Sequence, residues 1–348
     1  MQPKYKFELW INNSLVGDIT GLAQDRSFTI KRNDREELSF SLDVRAFEDY
    51  CAKLGSQPVE VLEAYVTDVR VRRNDAYLFG AQVVDMGYDF SEAGAKVSVK
   101  CAGFLDLLMD RYVTKKYTQI DAAAIARNLI TETQTTKGTF GISNGISQDC
   151  GVLRDRDYVD QSVKDALINL TNLMDGSFDF KFLADRTFET YTKMGTTREN
   201  LRFTYPYNVK SLTVPRTALN LHNYIIALGS GFGNEALRSE ASDTASRLNY
   251  GTRQKILSFN SIANKDRLSL QAVSEVLLRK DIVMLPKLKV SGEFCDLNTV
   301  WVGDRVPVNV QGYTSPPMDG MFRIEQIAVA IDQNDAEEID LIVDNYGL

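Results

Sequence analysis

A period-two alternation of apolar and polar residues at both ends of the chain restricts its fold more than any other feature. In a β-strand, neighbouring side chains point to opposite faces, so this spacing places one face in a core and the other in water. The N-terminal part contains two such series, formed by Tyr5, Phe7, Leu9 and Ile11 and by Leu38, Phe40, Leu42 and Val44. Turn signals at Asn74-Asp75 and Glu92-Ala93-Gly94 predict two hairpins. The first third is therefore predicted to be an antiparallel meander that closes into a sandwich or a small barrel.

The middle of the chain changes to helical spacing. Asp121 is predicted to cap a helix with an apolar face of Ala122, Ile125, Ala126, Leu129 and Ile130. A second helix is predicted to begin at Ser162 and to end at Gly176, and an alternating hairpin follows from Phe178. A third helix near Asp266 is predicted to end at Pro286 and to carry an apolar face of Ala272, Val273, Val276 and Leu277. Two helices followed by a hairpin predict a small α+β domain, inserted after the first β domain.

The C-terminal residues return to β alternation and share a plan with the first region. Each region has a strand with a phenylalanine, Phe79 or Phe322, then an aliphatic stretch, a polar turn and a final alternating strand. The predicted fold class is α+β, mainly β, with two barrel-like antiparallel β domains and an inserted small α+β domain. The predicted units are a first β domain at 1–112, the α+β domain at 113–208, connecting strands, loop and helix at 209–285, and a second β domain at 286–348.

Composition and charge exclude several classes of protein. Of the 348 residues, 44% are hydrophobic and 25% are charged, which allows packed cores throughout. The net charge of -7 argues against a surface that grips nucleic acid, because duplex affinity depends on many Lys and Arg contacts. The four cysteines stand far apart, so neither a zinc finger nor a redox motif is predicted. The sequence also predicts no signal peptide and no membrane-spanning segment.

Motifs for chemistry are incomplete wherever they occur. His222 is the only histidine, which mostly excludes histidine triads and HExxH zinc sites. The glycine-rich stretch at 229–234 has Asn234 where a dinucleotide fingerprint needs its third glycine, so a glycine bend is predicted. Arginines interrupt an acidic cluster of Asp155, Asp157 and Asp160, unlike a calcium-binding EF-hand loop. Any two of the 47 acidic residues could meet in space, but no pair is singled out for glycoside hydrolysis. No catalytic residue, metal site, cofactor or enzymatic activity is therefore predicted.

Three stretches of sequence, in succession, resemble the minor tail and tail-hub proteins of long-tailed bacteriophages. The first comprises residues 69–80 (VRVRRNDAYLFG) and residues 97–112 (VSVKCAGFLDLLMDRY). The second comprises residues 223–231 (NYIIALGSG) and 249–253 (NYGTR), and the third is 302–306 (VGDRV). The order of these stretches spans most of the chain and carries the resemblance, because no single motif among them is specific.

The resemblance implies a virion structural protein of the phage tail tip that is assembled in the host bacterial cytoplasm. Such a hub forms a ring, usually a homotrimer, which adapts the six-fold tail tube to a three-fold tip and surrounds the DNA exit path. Its two barrel-like domains per subunit form a pseudo-six-fold collar. The implied partners are further copies of the chain, the distal tail protein, the tape-measure protein and tail fibre or tip proteins. Genomic DNA is implied only in passage.

Three alternatives remain open at this stage. A hexameric distal tail protein also begins with a β domain, and counting subunits separates it from a hub. A tail-associated cell-wall hydrolase would give a signal in a zymogram on cell-wall substrate. A carbohydrate-binding module would bind glycans as an isolated protein.

The alternation also predicts two charged faces on the water-facing sides of the strands. In the first region the basic face consists of Arg70, Arg72, Lys96 and Lys100, opposite the predicted core residues Val69, Val71, Val97 and Val99. In the last strand the acidic face consists of Glu338, Asp340 and Asp344, opposite Ile339, Leu341 and Val343. Unlike faces of neighbouring subunits would meet in a collar and set partner choice, with Glu338 and Asp340 facing the basic residues. The alternative is that both are ordinary solvated faces.

Overall fold

The computed structural model describes residues 3–92, 94–171, 177–260, 262–312 and 318–344. The N-terminal region contains seven strands and two helices. They are β1 (Tyr5–Ile11), β2 (Ser14–Asp18), β3 (Gln24–Lys31), β4 (Glu37–Asp43), α1 (Val44–Leu54), α2 (Pro58–Val61), β5 (Asp68–Arg73), β6 (Ala76–Ser91) and β7 (Gly94–Gly103). Helix α1 was not predicted. The Asp43 side chain caps it by accepting a hydrogen bond of 2.8 Å from the Ala46 backbone N–H, and Phe47 and Cys51 are buried one turn apart.

The middle region alternates strands and helices after a 3-10 turn at Phe104–Leu108. Its elements are β8 (Tyr112–Asp121), α3 (Ala122–Lys137), β9 (Ser143–Ser147), β10 (Leu153–Ser162), α4 (Val163–Thr171), β11 (Asp179–Phe182) and β12 (Thr187–Tyr191). The predicted cap of α3 is confirmed, since Asp121 accepts a hydrogen bond of 2.9 Å from the Ala123 N–H. The second predicted helix and the hairpin are also confirmed, while Gly176 lies outside the described residues.

The remaining elements lead through a small mixed sheet back to long strands. They are β13 (Phe203–Tyr205), β14 (Val209–Thr213), β15 (Arg216–Thr217), β16 (Tyr224–Leu228), β17 (Arg238–Ser242), α5 (Thr244–Tyr250), β18 (Gln254–Ser258), α6 (Lys265–Arg279), β19 (Val283–Met284), β20 (Lys287–Ser291), β21 (Arg305–Val310), β22 (Asp319–Ile331) and β23 (Glu337–Asp344). Helix α6 buries Leu268, Ala272 and Val276 against this small sheet. Val273 is exposed, contrary to prediction, because the contact face follows a strict four-residue spacing. The helix also ends earlier than predicted, at Arg279.

One large, mainly antiparallel sheet contains strands from both ends of the chain. Its order is β14-β20-β23-β22-β3-β4-β7-β6-β5-β1-β2, with β21 pairing β22 and β13. The two regions join where β3 pairs β22, with Phe28 opposite Val329. The mainly-β, α+β class is thus confirmed. The expected barrel architecture is corrected, because the two regions are joined edge to edge and the described strands form no closed barrel.

Three hydrophobic clusters fill the molecule. The largest packs residues of 5–101 together with residues of 194–343 beneath the large sheet. The second lies within 104–188, and the third within 225–276. The division into four domains stays a prediction, and these clusters describe only where apolar side chains are buried.

Several contacts fasten the middle region to the large sheet. Arg186 donates hydrogen bonds of 2.8 and 2.7 Å to the two carboxylate oxygens of Asp68 on β5. Next to it Gly80 of β6 packs so closely that a Cβ there would lie 2.6 Å from the carbonyl oxygen of Ala184. The turn between β11 and β12 therefore covers the outer face of β5 and β6.

Candidate subunit interface

The predicted basic residues on β5 do not form a water-facing surface. Arg70 is only 6% exposed, and its guanidinium lies 4.0 Å from the ring centroid of Trp10 and donates a hydrogen bond to Asn13. Burial lowers the pKa of Arg70. Arg72 is partly buried and forms an ion pair of 3.2 Å with Glu8. The expectation that Arg70 faces water is wrong, because the turn between β11 and β12 and the β1–β2 hairpin cover this part of the sheet.

The two predicted lysines on β7 do face water. Lys96 and Lys100 are exposed and alternate with buried Val97 and Val99, as predicted. Each lysine already has a carboxylate partner within the chain. Lys96 lies 2.9 Å from Asp25, and Lys100 lies 3.2 Å from Asp85. Hydrogen bonds from Lys96 and Ser41 hold the pKa of Asp25 below its usual range.

The acidic residues of β23 show the same arrangement. Glu338 lies 3.1 Å from Lys289, and Asp340 lies 3.3 Å from Lys287, both on the neighbouring strand β20. The hydrogen bond to Glu338 raises the pKa of Lys289. The predicted alternation with buried Ile339, Leu341 and Val343 is confirmed.

The continuous sheet brings Lys100 and Glu338 onto one and the same face. The pairing register runs from Glu338 through Ala330, Ser27 and Ser39 to Lys100. Four strand spacings of ~4.8 Å separate the two ends of this row by roughly 19 Å. The row between the two charged groups carries the small side chains of Ala330, Ser27 and Ser39. Whether the two charged groups contact another subunit stays a prediction.

Several edges of the large sheet lack a partner strand among the described residues. Strands β2 and β14 end the strand order, and each pairs on one side only, with β1 and with β20 respectively. Strand β5 ends its pairing with β6 at Gln82, whereas β6 continues to Ser91 and there pairs only with β7. Unpaired N–H and C=O groups along an edge strand can bind a strand of another chain. Strands β2 and β6 belong to the first β region, whereas β14 belongs to the connecting residues 209–285.

Exposed aromatic side chains accompany the free edge of β6. Tyr88 and Phe90 are 54% and 73% exposed, and their rings stack with centroids 6.5 Å apart. The sequence reasoning missed this edge. The sequence contained a signal for it, because the two strands on either side of the turn at Asn74 differ in length. Strand β5 has 6 residues and β6 has 16, so β5 cannot cover the whole edge of β6.

The residues considered for chemistry do not assemble into a site. His222 is half-buried, and its pKa is lowered by burial and by the nearby charges of Lys255 and Arg279. Gly229 packs against the carbonyl oxygen of Ile262, and the stretch leads into a short 3-10 turn, which confirms the glycine bend. Over the described part of the chain, no group of three His, Cys, Asp or Glu side chains could hold a metal ion. No helix within those same ranges is long and apolar enough to cross a membrane.

Comparison with known proteins identifies the fold. No protein-family model matches the sequence, and no curated protein matches it significantly. Among solved structures, a tail protein from Neisseria meningitidis MC58 superposes with a TM-score of 0.68 at 12% identity, covering 99% of this chain and 97% of its own. The 43 kDa tail protein of prophage MuSo2 from Shewanella oneidensis gives a TM-score of 0.66 at 12% identity, covering 97% of this chain and 98% of its own.

A third solved structure extends the likeness beyond phages. An Escherichia coli component of the type VI secretion system, itself described as similar to the T4 bacteriophage tail proteins gp27 and gp5, gives a TM-score of 0.52 at 12% identity. The superposition covers 98% of this chain and 77% of the Escherichia coli protein. The resemblance seen in the sequence is thus confirmed at the level of the fold, and over nearly its whole length the chain has the fold of bacteriophage tail proteins.

Proposed function

We propose that this chain is a non-enzymatic structural subunit of a phage tail tip, a hub that forms a homotrimeric ring. The observation that carries the proposal is the fold shared with phage tail proteins over almost the full chain. The large sheet supports it further, because among the described residues its terminal strands β2 and β14 and the outer half of β6 have free edges available to a neighbouring copy.

The internal repeat supports a collar with pseudo-six-fold symmetry. The triplets β5-β6-β7 and β21-β22-β23 are both antiparallel meanders with a long middle strand. Each middle strand carries a phenylalanine, Phe79 or Phe322, and an irregularity in register a few residues later. Two similar units per subunit, alternating around a three-fold axis, would present six similar positions to a six-fold tube. The barrel-like character of each unit in the ring belongs to this proposal.

The proposed partners are the distal tail protein, the tape-measure protein and tail fibre or tip proteins, with DNA only in passage. The outer face of β22, β3 and β4 fits such a role. Its central positions are Ala328, Ala330, Ser27, Thr29 and Ser39. These central side chains carry no charge, and Arg35 and Lys100 beside them are paired with carboxylates, so nucleic acid could move past this face with little to hold its phosphates.

We expect self-association to the size of a trimer. Light scattering on the purified chain should give three times the subunit mass of 39.1 kDa, with the trimer fraction rising with concentration. A stable hexamer would instead indicate a distal tail protein. A monomer at every concentration would contradict a ring formed by this chain alone.

The charged residues of the sheet provide a test of the interface. Replacing Lys96 and Lys100 by glutamate should weaken trimerisation roughly tenfold, and adding Glu338→Lys with Asp340→Lys should partly restore it. Exposed ion pairs contribute only about 0–1 kcal/mol each, so a larger effect is not expected. Because the reversal also breaks the ion pairs with Asp25 and Asp85, the control is Asp25→Asn with Asp85→Asn. If this control weakens trimerisation as much as the lysine reversal does, the two lysines do not lie at the interface.

A further inference from the structure

A chain of alternating charges crosses the junction between the large sheet and the middle region. Asp179 lies 2.5 Å from Arg32, and Arg32 lies 2.8 Å from Glu325. Glu325 in turn lies 2.6 Å from Arg323 on the same strand. In this series each cation has a carboxylate partner, and Asp344 stands opposite Arg323 on β23. The series is therefore balanced in charge.

Two further cations adjoin this series without carboxylate partners in the described residues. Arg305 stands directly opposite Arg323 in the β21–β22 pairing. Its Nε–H donates a hydrogen bond of 3.3 Å to the Thr197 hydroxyl, but its buried Nη1 has no hydrogen-bond partner. Lys193 is exposed, and its ammonium makes no ion pair or hydrogen bond to any described residue. Its pKa is lowered by some loss of hydration and by the charges of Arg305 and Arg323. The Asp179 carboxylate raises the pKa of Lys193, and the Arg32 guanidinium lowers it.

Two unfavourable features thus coincide at one place. A buried donor without a partner is costly, and an ammonium without a carboxylate partner lies near other cations, which lower its pKa. A single bound oxyanion would relieve both. Buried polar groups without partners in folded proteins call for such an explanation, because they are rare.

The backbone around these cations is held in a fixed arrangement. Gly195 packs directly on Gly303, and both have positive φ angles, of 85° and 92°. The Asp304 carboxylate accepts hydrogen bonds of 2.7 Å from the Thr196 N–H and 3.2 Å from the Arg198 Nε–H. The backbone segments that carry Lys193 and Arg305 are therefore held side by side, with Thr197 bridged to Arg305.

We propose that Lys193 and Arg305 bind a phosphate-type dianion, either free inorganic phosphate or a phosphate monoester. Two cations without carboxylate partners match a doubly charged ligand better than a single carboxylate. The guanidinium fork and the three donors of an ammonium also suit the several oxygens of a tetrahedral anion. This site is separate from the free sheet edges of the proposed ring and does not depend on the ring being formed.

Thermal unfolding of the full chain in matched ionic strength tests the proposal. With a dissociation constant of about 1 mM, 50 mM inorganic phosphate should raise Tm over the value in chloride by about 3 °C. Phosphoserine as a second probe separates the two sources, because a rise with both means that the site admits esters, and a rise with phosphate alone means that it takes the free ion. An equal rise with succinate would overturn the assignment of a phosphate-type ligand, and no rise with any probe would overturn the site.

Substitutions of the two cations test whether they bind the phosphate. Arg305→Gln and Lys193→Gln should each weaken phosphate binding in calorimetric titration roughly tenfold or more, without lowering Tm in chloride. Arg238→Gln and Lys115→Gln are matched controls, because both residues are exposed and paired with carboxylates elsewhere. If Arg305→Gln lowers Tm in chloride but keeps the full response to phosphate, the arginine has only a structural role and the proposal is wrong.

Discussion

Replacing Glu337 by alanine is expected to lower the free energy of unfolding by about 3–5 kcal/mol, more than any other single ion-pair change in the large sheet. The Glu337 side chain is fully buried and accepts hydrogen bonds of 2.6 and 3.0 Å from the Arg73 guanidinium. It also accepts a hydrogen bond from the Tyr5 hydroxyl. Removing it leaves the arginine, whose side chain is 4% exposed, with only the peripheral Asp296 at 2.5 Å.

The cost arises because a charge is left buried, and not because the pair itself is strongly stabilising. Converting both partners in Arg73→Met with Glu337→Met should therefore destabilise less than Glu337→Ala alone. Fluorescence during denaturant unfolding is a suitable measurement, since both tryptophans, Trp10 and Trp301, lie at the large sheet. Glu240→Ala, which removes an exposed pair with Arg238, is the control and should cost at most about 1 kcal/mol. A loss below 1 kcal/mol for Glu337→Ala would contradict the prediction.

The second large effect is a pH dependence that comes from Glu36. Burial raises the pKa of this carboxyl to about 8, and the carboxylates of Asp34 and Asp106 act in the same direction. Its Oε2 has no hydrogen-bond partner and lies against Gly103, at the start of the turn into the middle region. The folded protein therefore holds Glu36 protonated at neutral pH, while the unfolded chain ionises it at its ordinary pKa of 4.5.

The sign of the effect follows from proton uptake on folding. Below pH 4.5 both states are protonated and Glu36 carries no penalty. As the pH rises to about 8, folding must bind a proton, so stability falls by about 3–5 kcal/mol and then levels off. Glu36→Gln should abolish this decline and be the more stable form at pH 8.

Unfolding free energies at pH 5 and pH 8 for the wild type and for Glu36→Gln check the expectation. The matched control is Glu37→Gln, since the neighbouring Glu37 side chain is 45% exposed and paired with Arg35. It should leave the decline between pH 5 and pH 8 in place. An identical decline in wild type and Glu36→Gln would show that Glu36 is not the group responsible.

Local patterns were sufficient for most strands and for the middle helices. The alternation at Val97 and Val99, the cap at Asp121 and the hairpin from Phe178 all depend on neighbours within a few residues of sequence, and the structure confirms them. Helix α1 was missed because its apolar positions, Phe47 and Cys51, are too few to stand out beside a strongly alternating strand.

The candidate interface could be predicted only in part. The exposure of Lys96, Lys100 and Glu338 follows from strand period alone. The burial of Arg70 does not, because it depends on a turn more than a hundred residues away along the chain. The intrachain partners Asp25 and Lys289 lie on strands whose pairing had not been predicted, so the neutralisation of both charged faces was not foreseen.

The sequence by itself determined most of the strands, the middle helices and the apolar faces of β7 and β23, because these depend on side-chain period and on local capping. Only the tertiary structure decided that the two β regions share one sheet and one core. That outcome depends on β3 pairing β22 and on Arg73 meeting Glu337, contacts between residues 264 or more positions apart. Pairing over such separations is selected by the fit of whole apolar faces and buried charges, which no local stretch of sequence encodes.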